Sequence, residues 1–190
     1  MTNGLSPLTP TLAYMDWSFH LLTHPGKQFE LWKLYSEYCT HITQQFLNHL
    51  TGDERGEYVP LSSKGDRRFA DARWQQFPYT SIYESFLFAQ NWWKTATTEV
   101  RGVSKHHEEI VEFSARQILD MLSPTNFIWT NPEIQDETIK QQGKNLFRGL
   151  ENYWDDYRRQ QAGEPPFGAE KYVVGENVGV TPGKVVYRNR

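Results

Sequence analysis

Ser123-Pro-Thr-Asn-Phe-Ile-Trp-Thr-Asn-Pro-Glu133 reads as one helix stopping, an aromatic-bearing connector and a second helix starting. Pro124 cannot continue a preceding helix, and its ring biases Ser123 toward extended geometry. Asn131 offers a side-chain cap, Pro132 fits the first helical position, and Glu133 sits where the helix dipole favours negative charge. The stretch predicts a helix-connector-helix joint, so the centre of the chain is α-helical.

Working outward, Glu108 to Leu122 places Val111, Ala115, Ile118, Leu119 and Leu122 at helical spacing. Tyr79 to about Thr98 does the same with Tyr79, Ile82, Tyr83, Phe86, Leu87 and Trp93. A third helix is expected from Pro132, its later half marked by Leu146, Phe147, Leu150, Trp154 and Tyr157 and its end by Gly163-Glu-Pro-Pro-Phe-Gly168. Gly143 and Gly149 weaken that helix by roughly 1 kcal/mol each relative to alanine. Residues 66–78 are irregular yet carry Phe69, Trp74 and Phe77, and a loop with three large aromatics is expected to be packed down. Residues 51–65 are polar and rich in breakers, which makes them a linker. Before them, Phe29, Trp32, Tyr35, Cys39, Ile42 and Phe46 give an amphipathic helix over Lys27 to Leu50. A short helix from Thr11 to about Thr23 is stopped by His24-Pro25-Gly26, and residues 1–10 form a flexible start. At the other end, Tyr172-Val-Val174 and Lys184-Val-Val-Tyr187 are β-type runs separated by a Thr-Pro-Gly turn signal. The expected fold class is mainly α: a helical bundle-like domain over 66–170, a helical extension over 1–50, and a short β segment over 171–190.

Composition narrows the function classes. Aromatic residues make up 15% of the 190, seven of them Trp, enough large buried surface to argue against global disorder. A formal charge of −3 gives no general pull toward nucleic acid. The single cysteine, Cys39, leaves no internal disulfide and suits a reducing cytoplasm. The first basic residue is Lys27, so a signal-peptide n-region is not seen, and no apolar run approaches the roughly 18 residues of a membrane span. A soluble cytoplasmic protein without a transmembrane segment is expected.

The residues that could carry chemistry each have a plainer reading beside them. His20 and His24 have the spacing of two ligands on one helix face, but Pro25 disturbs the turn and no third ligand is evident. His106-His107-Glu108-Glu109 falls where a helix should start, and acidic residues there serve the dipole. Asp155-Asp156 and Arg158-Arg159 read as a solvated helix face. Arg67 and Arg68 could hold a phosphate, such as those of coenzyme A, or tie the aromatic loop to a neighbouring domain. Gly175-Glu-Asn-Val-Gly179 lacks the third glycine of a dinucleotide fingerprint, and neither a Gly-x-Ser-x-Gly elbow nor a P-loop occurs. No catalytic residue, metal or cofactor is expected. Trp92 and Trp93, about 100° apart on a helix, suggest one indole in the core and one at its margin, open to a partner.

The chain resembles the portion of the polyhydroxyalkanoate synthases that precedes their catalytic domain. The resemblance rests on Asp66-Arg-Arg-Phe69 with Trp74, on Phe113, Gln117 and Asp120 leading into Pro124, Asn126 and Thr130–Glu133, on Gly143-Lys-Asn-Leu-Phe-Arg-Gly-Leu150, and on Gly175-Glu-Asn-Val-Gly-Val-Thr-Pro-Gly-Lys-Val-Val186. Upstream, Asp16-Trp17, His20-Leu21, Pro25-Gly-Lys-Gln28 and Glu30-Leu31 resemble an N-terminal extension of some of these synthases. In that family an α/β-hydrolase domain follows, with a nucleophilic cysteine in a Gly-x-Cys-x-Gly elbow plus an aspartate and a histidine. Here the chain ends at Arg190, where that domain would begin, and Cys39 stands between Tyr38 and Thr40.

The resemblance therefore implies the non-catalytic N-terminal part of such a synthase, or a free-standing regulatory or granule-associated relative. It implies a homodimer, docking on the α/β-hydrolase catalytic domain, and attachment to a polyester storage granule or its coat protein. It also implies that the β segment feeds the first strands of the hydrolase sheet. Phe69, Trp74, Trp92 and Trp93, with Arg67 and Arg68, are the expected contact residues. A self-contained enzyme using the His106/Glu109 region is a third, weaker reading.

Overall fold

A computed structural model describes residues 8–51, 66–173 and 175–179. Among them run six α-helices: α1 (Leu8–Leu22), α2 (Pro25–Thr51), α3 (Tyr79–Thr97), α4 (Lys105–Met121), α5 (Pro132–Lys140) and α6 (Lys144–Ala162). Short 3-10 turns occur at Arg67–Phe69, Ala72–Gln75 and Pro124–Asn126. The chain divides after Gln135 into two compact units.

The joint at 123–133 follows from its own side chains. Asn126 Nδ2 donates to the carbonyls of Asp120 (2.9 Å) and Met121 (3.1 Å), satisfying the last turn of α4. Thr130 Oγ1 donates to Pro124 O at 2.7 Å, and Asn131 Nδ2 to Thr125 O at 2.8 Å, which fixes the connector. Asn131 Oδ1 then accepts from the backbone of Glu133 (2.9 Å) and Ile134 (3.3 Å), capping α5 with Pro132 at its first position.

In the first unit, α3 and α4 pack together, α1 lies on α4 and α2 on α3, while the 66–78 loop sits on α3. The loop is packed down through Phe69 and Trp74, while Phe77, the third aromatic, stays exposed. Phe69 meets Trp74 edge-on (4.9 Å), stacks on Tyr83 (5.4 Å) and touches Phe86 (5.9 Å), all four buried. Tyr79, Ile82, Leu87 and Leu119 close round this cluster.

Three expectations need correction. First, α2 forms, but Phe29, Trp32, Tyr35, Cys39 and Phe46 stay exposed. Side-chain contacts to α3 come chiefly from Tyr38, His41 and Gln45, which lie roughly half a turn of helix away from Phe29 and Trp32, while the Leu31 carbonyl takes the Trp92 indole and Tyr35 edges the Phe88 ring. Second, the helix expected from Pro132 is broken in two. Gln142 (φ 51) and Gly143 (φ 82) are left-handed, and Gly143 N–H turns back to Thr138 O at 2.9 Å, closing α5 before α6 begins. Third, no sheet forms among the described residues. Tyr172 and Val173 are irregular, because Asn177 Oδ1 accepts from Val173 N (2.7 Å) and Val178 N donates to Val173 O (3.2 Å), drawing the backbone into a local turn. Lys184–Tyr187 and nearly all of the 51–65 linker lie outside the described residues.

Phe69 leaves a large cavity if truncated at the centre of four rings. Phe69→Ala is expected to cost about 3–5 kcal/mol of unfolding free energy, read by urea denaturation.

Candidate functional site

The aromatic loop is fastened by an Asp-x-Arg unit used twice. Asp66 caps the Arg67–Phe69 turn by accepting from Arg68 N (3.0 Å), and the Arg68 guanidinium closes back on the same carboxylate at 3.0 Å (Nε to Oδ1) and 2.8 Å (Nη2 to Oδ2). Asp71 repeats this with Arg73, accepting from its backbone N at 2.9 Å and its guanidinium at 2.8 and 2.7 Å. Arg73 holds the Asp71 carboxyl far below the usual carboxylate range.

Arg68 reaches beyond the loop. Its Nη1 donates to Asp120 Oδ1 of α4 at 2.9 Å, while Gln90 of α3 donates to the same oxygen at 3.3 Å. The guanidinium lies 5.1 Å from the Phe86 ring centre and 5.7 Å from that of Phe69. Its hydrogen bond to Asp66 lowers the Asp66 pKa and raises that of Arg68. The arrangement spends both carboxylates on the arginine, so Arg68 is a tie between the loop, α3 and α4 of its own unit. Arg67 is exposed beside it.

A second node carries the N-terminal helix. Asp16 Oδ2 accepts from His107 Nδ1 at 2.6 Å and from Ser104 N at 3.3 Å, and Asp16 Oδ1 lies 3.0 Å from His20 Nδ1. The His107 hydrogen bond is the main reason the Asp16 carboxyl sits below its ordinary pKa. Gly102, at φ +102, leaves room for the His20 ring; a Cβ there would overlap it. Beside this node Trp17 Nε1 donates to Ala96 O at 2.7 Å, and its ring packs against Trp93 at 6.2 Å.

Trp92 turns the other way. Its Nε1 donates to Leu31 O of α2 at 3.2 Å. The neighbouring indoles thus serve two different helices, and both are half-buried rather than divided between core and margin. The α2–α3 contact is completed by Tyr38 stacked on Phe88 at 4.0 Å and by Gln45 Nε2 donating to Glu84 Oε2 at 2.6 Å. Glu84 is fully buried, and His41 also approaches its carboxylate at 3.3 Å.

Of the six residues singled out by sequence, Phe69 and Trp74 lie in the core, Arg68, Trp92 and Trp93 join elements, and Arg67 faces solvent. Sequence reading missed Asp16, Glu84 and Asp120 as partners. The doubled Asp-x-Arg was a legible signal for the loop; nothing in the local pattern marks Glu84. Among the described residues no three His, Cys, Asp or Glu side chains converge to hold a metal ion. No helix there is long and apolar enough to cross a membrane.

Residues 65–190 match the family model described as poly-beta-hydroxybutyrate polymerase (PhaC) N-terminus, and residues 1–27 match poly-beta-hydroxybutyrate polymerase N terminal. The chain belongs to the poly-beta-hydroxybutyrate polymerase N-terminal family. It is 31% identical over 173 residues to the poly(3-hydroxyalkanoate) polymerase subunit PhaC of Rhizobium meliloti, covering 90% of this chain and 26% of that protein. It is 33% identical over 197 residues to the subunit of the same name from Rhizobium etli, covering 98% and 30%. A poly(3-hydroxyalkanoate) polymerase of Methylorubrum extorquens is 34% identical over 130 residues, covering 65% and 21%. The chain thus spans about a quarter of the length of these polymerases. No solved structure matches it.

The two matched polymerase segments meet at the second node. Asp16, Trp17 and His20 come from the first, and Ala96, Gly102, Ser104 and His107 from the second. Arg68→Ala is expected to destabilise the polymerase N-terminal fold by about 1–3 kcal/mol in urea titrations, because it strands two partly buried carboxylates. Arg68→Lys should recover less than half of this loss, since an ammonium cannot bridge both carboxylates as a fork. Gly102→Ala should release α1 while sparing the aromatic core, seen as faster hydrogen exchange confined to residues 8–22.

Proposed function

We propose that this chain serves a polyhydroxyalkanoate synthase as its non-catalytic N-terminal domain. In this role it supports dimerisation, the stability and activity of the α/β-hydrolase catalytic domain, and association with the polyester granule. The observation that carries the reading is α6. Within its own unit, this helix gathers Leu146, Phe147, Leu150, Tyr153, Trp154 and Tyr157 into one arc of about 120°. These side chains are 43–71% exposed. The opposite side carries Lys144, Arg148, Glu151, Asp155, Arg158 and Arg159, and Asp155 pairs with both Arg158 (2.6 Å) and Arg159 (2.8 Å). An apolar face of this width with aromatic residues on it is built to bury area against a partner.

In the same reading, Arg68, Phe69 and Trp74 contribute by holding the scaffold. Trp92 and Trp93 contribute by setting α1 and α2, and Arg67 contributes at the surface. Membership of the family and the lack of a Gly-x-Cys-x-Gly elbow in the sequence support assigning turnover to a separate catalytic domain.

The test is to mix or fuse this chain with the catalytic part of the Rhizobium meliloti polymerase and to measure polymer formation from hydroxyacyl-CoA. Restored or raised polymerisation is expected, falling at least about tenfold in a Leu150→Asp, Trp154→Asp double variant. No effect on polymerisation would refute the accessory role. Granule binding without any such effect would favour a stand-alone granule-associated protein.

A further inference from the structure

We propose that the cleft between α3 and α4 is a binding site for a linear aliphatic carboxylate of about eight carbons. The cleft measures about 210 Å³ and lies wholly within the first unit. Trp93, Lys94 and Thr97 line it from α3, and Ala115, Arg116 and Leu119 line it from α4. With Gln90 and Glu112 ahead of them, both sets follow the i, i+3, i+4, i+7 spacing of a single helix face. The two walls meet through small buried side chains, Ala115 and Thr97, which leave room that larger ones would fill. Thr97 Oγ1 donates to Trp93 O at 2.8 Å, so its hydroxyl is already satisfied by its own helix.

Charge and volume select the occupant. Elsewhere in this unit Lys27, Arg68, Arg73 and Lys105 each hold a carboxylate. Among the described residues, neither Lys94 nor Arg116 does; the Arg116 guanidinium lies 5.9 Å from the Phe113 ring centre instead. The Trp93 indole N–H has no acceptor there either, whereas Trp17 and Trp92 both donate to backbone carbonyls. Glu112 is the only carboxylate in the lining, and although it stands one turn ahead of Arg116, it forms no ion pair with it. The cleft therefore presents a mostly apolar surface with a cation on each wall, which matches an alkyl chain ending in a carboxylate. An apolar cavity of about 150 Å³ holds the six carbons of benzene, so this cleft accepts roughly eight. A nucleotide or coenzyme needs the larger pockets of about 300–1,000 Å³. A bare inorganic anion would leave the apolar lining uncovered, and a neutral hydrocarbon would leave both cations unused. Such a site is independent of the accessory role.

The experiment is calorimetric titration of the 190-residue chain with sodium octanoate, joined to an amide chemical-shift titration. A dissociation constant of about 0.1–1 mM is expected, with the shifts concentrated in residues 90–97 and 112–119. Lys94→Gln and Arg116→Gln should each weaken binding at least about threefold, and the double variant at least about tenfold. Both side chains are exposed, so neither change touches the core. Ala115→Leu fills the cleft and should abolish binding, with far-UV circular dichroism checking that the helices remain. Glu112→Gln removes the opposing charge and should tighten binding about twofold. Octanol should bind at least about tenfold more weakly than octanoate, and acetate and inorganic phosphate not measurably at about 10 mM. Four results would each overturn the site: no octanoate binding at about 10 mM, octanol or phosphate binding as tightly as octanoate, binding indifferent to the double variant, or shifts confined to the open faces of α1 and α6.

Discussion

One guanidinium decides where the helices of the first unit can lie. Arg68 is bonded to a carboxylate in its own turn, to another at the far end of α4, and lies over the rings of Phe69 and Phe86. A planar fork satisfies all of these only in one orientation, so the loop, α3 and α4 are fixed together. The ion pairs are partly exposed, and much of their value is geometric: they hold Phe69 and Trp74 in place while those rings supply the apolar burial. Because α1 rests on α4 and α2 on α3, every later placement inherits this one.

What was legible in the sequence was whatever the local chemistry determines. The joint at 123–133 contains both of its caps, its proline and its connector bonds, so eleven adjacent residues suffice to read it. α2 is the opposite case. Its apolar spacing marks a helix correctly, but the side that meets α3 is chosen by partners far away in sequence. One is a buried glutamate at 84 that needs Gln45, another a phenylalanine at 88 that stacks on Tyr38. Periodicity measures amphipathicity and is silent on which face finds a neighbour. The break at Gly143 was underestimated because a glycine inside an apolar pattern counts as a small propensity cost until Gln142 joins it at positive φ. The Tyr172–Val173 strand signal lost to Asn177, whose side chain takes the backbone into a turn.

The candidate surfaces divide along the same line. The aromatic residues picked from sequence are mostly consumed in holding the fold, since large rings are the cheapest way to fill space between helices. The faces that remain open, on α1 and α6, are made of ordinary Leu, Met, Phe and Tyr at regular spacing. Their spacing was visible beforehand; their exposure was not, because exposure is a property of the assembled unit.

α4 is gripped at both ends, by Asp16 on His107 and by Arg68 on Asp120. The two anchors are thirteen residues apart, about 20 Å along the axis and roughly 220° apart round it. Inserting or deleting one residue between them would rotate one anchor by about 100° and turn it away from its partner. The helix is therefore a gauge of fixed length and fixed phase: seven residues would restore the phase but shift one anchor by about 10 Å, so among related chains length changes between these anchors should be absent, whatever the sequence on its outer side becomes.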